Sequence, residues 1–139
     1  MDMKNCSWFQ VIGVMLLLLV LPVLTGCKEQ TQQMTELEFT VVEEERLPEE
    51  LLKMVEDKKK EIFKLTYADG GYLYLCVGYG MQQTGGYSIV VNRLAAAENA
   101  VYLDTDLMGP TEADPKNANL SYPYIVVKTP FVDKTVVFE

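Results

Sequence analysis

From residue 62 onward the chain is a series of short apolar runs, each closed by glycine, proline or asparagine. Runs of that length, rich in valine, isoleucine and tyrosine, are strand signals. Ile62 to Tyr67 and Tyr72 to Tyr79 flank Ala68-Asp69-Gly70-Gly71. That spacing predicts a hairpin, because glycine tolerates the positive φ of a tight turn. Tyr87 to Leu94 and Val101 to Leu107 make two more strands, joined by Ala95 to Asn99. Met108 to Leu120 is a loop, marked by Gly109-Pro110 and Asp114-Pro115. Tyr124 to Lys128 and Thr135 to Phe138 are the last two strands.

Upstream, Leu37, Phe39 and Val41 alternate with Glu38 and Thr40, which predicts a first strand over Leu37 to Val42. Glu43-Glu44-Glu45-Arg46 would be its solvated end. One segment has helical character. Pro48 suits a first helical turn, Glu49 and Glu50 lie at the positive end of the dipole, and Lys58 to Lys60 lie at the negative end. Leu51, Leu52 and Val55 form its apolar stripe, and Leu47 can staple back onto the first turn. The fold class is therefore mainly β (α+β). It has an antiparallel β-sheet domain of seven strands, sandwich or open barrel, with one amphipathic helix near residues 48–60.

The N-terminus has a different pattern. Lys4 precedes an apolar run from Val11 to Leu24, and Leu24-Thr25-Gly26-Cys27 follows the lipobox order of aliphatic, small, small, cysteine. The run is about 14 residues, against roughly 20 for a bilayer-spanning helix. An uncleaved anchor helix is the competing reading. The expected organisation is a lipoprotein signal peptide over 1–26, a lipidated tether over 27–35 and one β-rich domain over 36–139. Cys27 would carry a diacylglycerol, each buried methylene contributing about 0.8 kcal/mol. The mature chain would then sit lipid-anchored on the extracytoplasmic face of the cell membrane. Residues 28–35, extended, reach about 26–29 Å.

Cys6 would leave with the signal and Cys27 would be acylated, so Cys76 stands without a disulfide partner. It lies in the apolar run Tyr72 to Val77, where a buried small hydrophobe is expected rather than a reactive thiol. The formal net charge of −8 argues against nucleic acid as a partner and against electrostatic attraction to anionic headgroups.

The chain contains no histidine. That removes Ser–His–Asp and Cys–His catalysis and the common imidazole zinc sites. The serines after residue 27 are Ser88 and Ser121, and neither has a lysine at a dyad-like spacing. Asp104 and Asp106 fall on one face of a strand and could bind calcium or act as acid and base. An exposed polar face is the plainer reading, with Val101, Leu103, Thr105 and Leu107 pointing inward. No cofactor, no metal site and no enzymatic activity are expected.

The glycine-rich stretch Gly78 to Tyr87 follows a strand but leads into Ser88-Ile89-Val90-Val91, another strand, and holds no lysine. A phosphate cradle would open a helix instead. Two readings stay open. It is a plain connection with glycines at positive φ, or a recognition loop with Tyr79 and Tyr87 as aromatic tips. The contact candidates are Tyr79, Met81, Gln82, Gln83, Thr84 and Tyr87, and Gly85 and Gly86 form the structural turn. Tyr122-Pro123 opens a later strand. An aromatic before proline raises the chance of a cis bond, while proline at a strand start merely avoids a missing ladder donor.

Thr84-Gly85-Gly86-Tyr87-Ser88-Ile89, a hairpin, and then Tyr122-Pro123-Tyr124-Ile125-Val126-Val127 resemble the C-terminal domain of the protease complex subunit PrcB family. The resemblance covers residues 70–130. One departure is Gln83-Thr84 where the family has Pro-Thr before the double glycine. The resemblance implies a non-catalytic accessory lipoprotein that associates with an envelope protein such as a surface protease and supports it. Thr84-Gly85-Gly86-Tyr87 is also similar to the Thr-Gly-Tyr loop of chagasin-type protease inhibitors. That likeness implies an alternative, inhibition through the Gly80–Tyr87 loop.

Overall fold

The computed structural model describes residues 33–111 and 118–139. The segment read as a signal peptide, Cys27 and most of the segment read as a tether lie outside the described residues.

Among the described residues, eight strands form two four-stranded sheets. They are β1 (Thr35–Glu36), β2 (Thr40–Val41), β3 (Ile62–Asp69), β4 (Tyr72–Tyr79), β5 (Ser88–Ala96), β6 (Ala100–Met108), β7 (Tyr124–Pro130) and β8 (Thr135–Phe138). One sheet has the order β1-β5-β6-β8 and the other β2-β7-β4-β3. Every pair is antiparallel except β6 with β8, which is parallel. The sheets stack as a sandwich without closing into a barrel, which decides between the two expected architectures.

The count of eight replaces seven because Leu37 to Val42 is not one strand. Thr35 and Glu36 pair with Ala96 and Ala95, and Thr40 and Val41 pair with Lys128 and Val127. The chain passes from one sheet to the other between them. Leu37 donates its N–H to Leu94 at 2.9 Å and Val42 donates to Val126 at 2.9 Å. Leu37 packs on the core between the sheets, Val42 on the core beneath the helix. Alternation alone cannot show such a change of sheet. Pairing thus begins at Thr35, inside the segment read as tether. The acidic run after it is no strand end, since Glu44–Arg46 is a 3-10 turn.

Helix α1 spans Glu49–Lys58, with Pro48 as its N-cap residue rather than its first turn. Leu51 and Val55 are fully buried. They pack with Leu47, Phe63, Leu65, Tyr74, Cys76 and Val126. The next residues of β4 face the other way. Leu73, Leu75 and Val77 join Leu94, Val101, Leu103, Ile125 and Val127 between the sheets. The β2-β7-β4-β3 sheet is therefore the middle of three layers, covered by the helix on one face and the second sheet on the other. Two tyrosines fasten the outer layer. The Tyr67 hydroxyl donates to Glu50 at 3.0 Å and the Tyr124 hydroxyl to Glu44 at 2.8 Å. Both phenols are harder to ionise than usual, Tyr67 chiefly through its bond to Glu50 and Tyr124 chiefly through burial.

The β3–β4 turn is Gly70-Gly71, with φ of 57° and 80°. Positive φ at both central residues is the type I′ geometry that matches strand twist. Among the described residues no peptide bond is cis. The Tyr122–Pro123 bond is trans, and Pro123 accepts the Tyr79 N–H at 3.0 Å as the lead-in to β7.

Candidate functional site

Strand direction sorts the loops into two poles. The β3–β4 turn, the β5–β6 turn, the β7–β8 link and the chain entry at Thr35 share one pole. The Gly80–Tyr87 connection, the ends of β6 and β3 that meet it, and the approach to β7 share the other.

At this second pole the Gly80–Tyr87 loop is tied down along its length. Gly80 takes φ 71°, and a Cβ there would lie 3.2 Å from the backbone of Glu61 and Ile62. Met81 donates its N–H to Lys60 at 3.2 Å. Gln82 and Ser121 exchange backbone hydrogen bonds of 2.8 and 3.1 Å. The Gln82 side-chain amide donates to the Tyr79 carbonyl at 3.1 Å, and the Ser121 hydroxyl donates to the Thr84 carbonyl at 2.6 Å. Gly86 then takes φ 82° to enter β5, a conformation open to glycine at no steric cost. Gly85 is not among the positive-φ glycines.

These contacts divide the candidates. Tyr79 is not a tip. Its side chain turns into the sandwich, and its hydroxyl donates to the Thr105 carbonyl at 2.9 Å and lies 2.8 Å from the Thr105 hydroxyl. It joins the two sheets. Met81 and Gln83 are exposed, while Gln82, Thr84 and Tyr87 are half-buried. The Tyr87 ring lies 3.6 Å from the position a Cβ would take at Gly109. Around the loop stand Ile62, Met108 and Leu120, which are 77%, 52% and 51% exposed. With Met81 they are the large aliphatic side chains exposed around this loop. The clasp by Leu120-Ser121 carried no sequence signal, because it joins residues far apart in the chain.

Asp106 accepts a hydrogen bond from the Asn92 amide at 2.8 Å, and Asp104 is half-buried. Among the described residues no cluster of three metal-ligating side chains occurs. The Ser121 hydroxyl is engaged with Thr84. Cys76 is fully buried, and burial pushes its thiol up to about 12. A thiol so disfavoured as thiolate is a poor nucleophile at neutral pH. At the opposite pole a shallow cleft of about 440 Å³ is bordered by Phe39, Tyr72, Lys128 and Pro130. There the Lys128 ammonium sits 4.1 Å from the centre of the Tyr72 ring.

A two-sheet sandwich with a helix on its outer face defines a small α+β domain. Its similarity is specific. Residues 73–130, from β4 through the loop to the end of β7, match the family model described as PrcB C-terminal. The resemblance drawn from Thr84 to Ile89 and from Tyr122 to Val127 is shown by this match. It associates the chain with protease-complex subunits. No curated protein and no solved structure matches the chain.

Proposed function

We propose that this chain is a membrane-tethered accessory subunit that binds an envelope protein, such as a protease, through its loop pole, and takes no part in bond chemistry. The observation that carries the reading is the pinned Gly80–Tyr87 loop within exposed Ile62, Met81, Met108 and Leu120. A rigid apolar surface binds with little ordering cost, and an exposed apolar patch rimmed by polar groups is a mark of protein contact. The matched segment contains both the loop and its Ser121 clasp. The tether follows from Leu24-Thr25-Gly26-Cys27. Lipidation at Cys27 would confine the domain to the extracytoplasmic face of the membrane and raise the effective concentration of partners there.

The test is a pull-down of the lipidated chain from its own membranes. A stoichiometric protein partner is expected. Replacing Met81 and Gln83, the two exposed loop residues, by serine should release it while the melting temperature stays near its original value. A partner retained undiminished by that variant would place the interface elsewhere. Stoichiometric inhibition of a cysteine protease by the purified domain would favour the chagasin-like role. Mass spectrometry of the extracted protein should show a diacylated Cys27 at the N-terminus, and an intact Met1 would remove the tether from the reading.

A further inference from the structure

The sandwich has an unfinished edge. β1 pairs with β5 at Ala95 and Ala96, and Leu37 adds one bond to Leu94 before the chain leaves for the other sheet. From Ser88 to Arg93, β5 has no strand on that side among the described residues. Alternate residues there direct their N–H and C=O groups outward. Natural sheets commonly guard such an edge with lysine, proline or a covering element. The sequence Ser88-Ile89-Val90-Val91-Asn92 carries none of the charged or proline guards, and Arg93 with the bulge beside it guards only the far end of the edge. Val90 is 45% exposed on the outer face. Ile89 and Val91 turn inward onto the core yet remain only half-covered.

The other long free edge is different. β3 carries Lys64, whose ammonium reaches back to the Phe138 carbonyl at 3.3 Å and lies 5.9 Å from the Phe138 ring. A lysine at mid-edge is a guard against strand addition. The unguarded edge is the one that emerges directly from the Gly80–Tyr87 loop.

We propose that the Ser88–Asn92 edge of β5 accepts an extended segment of the bound partner as an added strand, completing the sheet where β1 stops. This deepens the partner-binding reading above and rests on it. Main-chain hydrogen bonds would supply affinity, and alternate apolar side chains of the segment would cover Ile89 and Val91. The bulge at Asn92, where the register shifts between Val91 and Arg93, sets the far limit of the pairing. The occupant is a partner segment rather than a second copy of this chain. Pairing so short an edge with itself covers a few hundred Å² by rough estimate, below the ~1,000 Å² expected of a specific interface. The net charge of −8 opposes self-association further. A partner that also contacts the adjoining loop pole meets no such shortfall.

Amide hydrogen exchange on the lipidated full chain, alone and with its co-purified partner, tests this. Amides between Ser88 and Asn92 should slow by at least about tenfold in the complex, with the outer amides of β3 unchanged. Partner bound with these amides unaltered overturns the inference and leaves the binding reading standing. Protection accompanied by a homodimer overturns it in favour of self-pairing. Failure to recover any partner counts against the binding reading instead. The inference is then decided by a synthetic peptide of about eight residues, alternating valine with lysine and threonine, and its N-methylated counterpart. The unmodified peptide should slow exchange at Ser88–Asn92 and the N-methylated one should not. An equal response, or none from either, sinks the inference.

Discussion

β4 and β5 are neighbours in sequence and nearly equal in length, yet they live in different surroundings. β4 has a strand on each edge and a packed layer on each face, so five of its successive side chains from Leu73 to Val77 are buried. β5 has one full-length neighbour and one covered face, and its exposure alternates until the bulge. The contrast separates two roles within one small domain. Buried packing is concentrated around β4, whereas the open edge and the exposed apolar side chains are concentrated at β5 and the loop that feeds it. Substitutions along the two strands therefore should differ in what they disturb.

The largest effect is expected at Gly78. A Cβ there would lie 2.0 Å from the Phe63 ring, which is itself in the core under the helix. Gly78→Val should destabilise by about 3 kcal/mol or more through overpacking, measured by denaturant unfolding. Phe63→Leu should relieve part of that cost in the double variant. Simple additivity of the two would show that the close approach is not what constrains Gly78.

Alkali gives the next effect. The Cys76 thiol ionises near 9.0 when free and only at about 12 when folded. The unfolded chain thus loses its proton first. This contribution to stability is complete below pH 9 and declines as pH rises toward 12, by on the order of 2 kcal/mol at pH 11. Tyr67 and Tyr124, both raised, act in the same direction above their usual range. Cys76→Ala should lower stability at neutral pH and flatten the alkaline slope. Rapid maleimide labelling of native protein would contradict the burial on which this rests.

At the boundary between the two strands, Gly86→Val forces a β-branched residue to φ 82° and should cost about 1 kcal/mol or more. Gly85→Val should cost less, since Gly85 lacks that conformation, and thermal melts of the pair rank them. The smallest effect on stability belongs to β5. Val90→Lys, on an exposed edge position, should change stability by no more than about 0.5 kcal/mol. It should nevertheless weaken binding of an added strand by placing a guard on the open edge. A large loss of stability would mean that Val90 is a core residue and would erase the contrast with β4.

Most of this organisation was legible in the residues, and the gaps have definite causes. β4 and β8 lie where the apolar runs end, and the hairpin turn lies on its two glycines, because these signals are local. The division of Leu37 to Val42 between two sheets was not legible, since period two is the same whichever sheet a residue joins. The bulge was hidden for a related reason. Strict alternation from Ile89 and Val91 would turn Arg93 inward, but one extra residue at Asn92 leaves Arg93 outside, paired with Glu139, and places Leu94 in the core. Tyr79 looked like a loop tip by position in the chain. Its partner Thr105 lies on another strand of another sheet, and only the fold brings them together.

The single parallel pair has a bearing on how the molecule is made. A chain emerging N-terminus first can close the β3–β4 and β5–β6 hairpins early, because both are local. Two sheets remain incomplete after that, since β4 waits for β7 and β6 waits for β8. β8 reaches its place only after the chain has crossed from one sheet to the other. Until Thr135 to Phe138 are available, Ala100 to Leu103 present an unclaimed edge beside nearly finished core. Non-local closure of this kind is slow, and it is the stage at which such intermediates stick to one another. The last strand is therefore a latch, and the vulnerable interval of biogenesis runs until it is set.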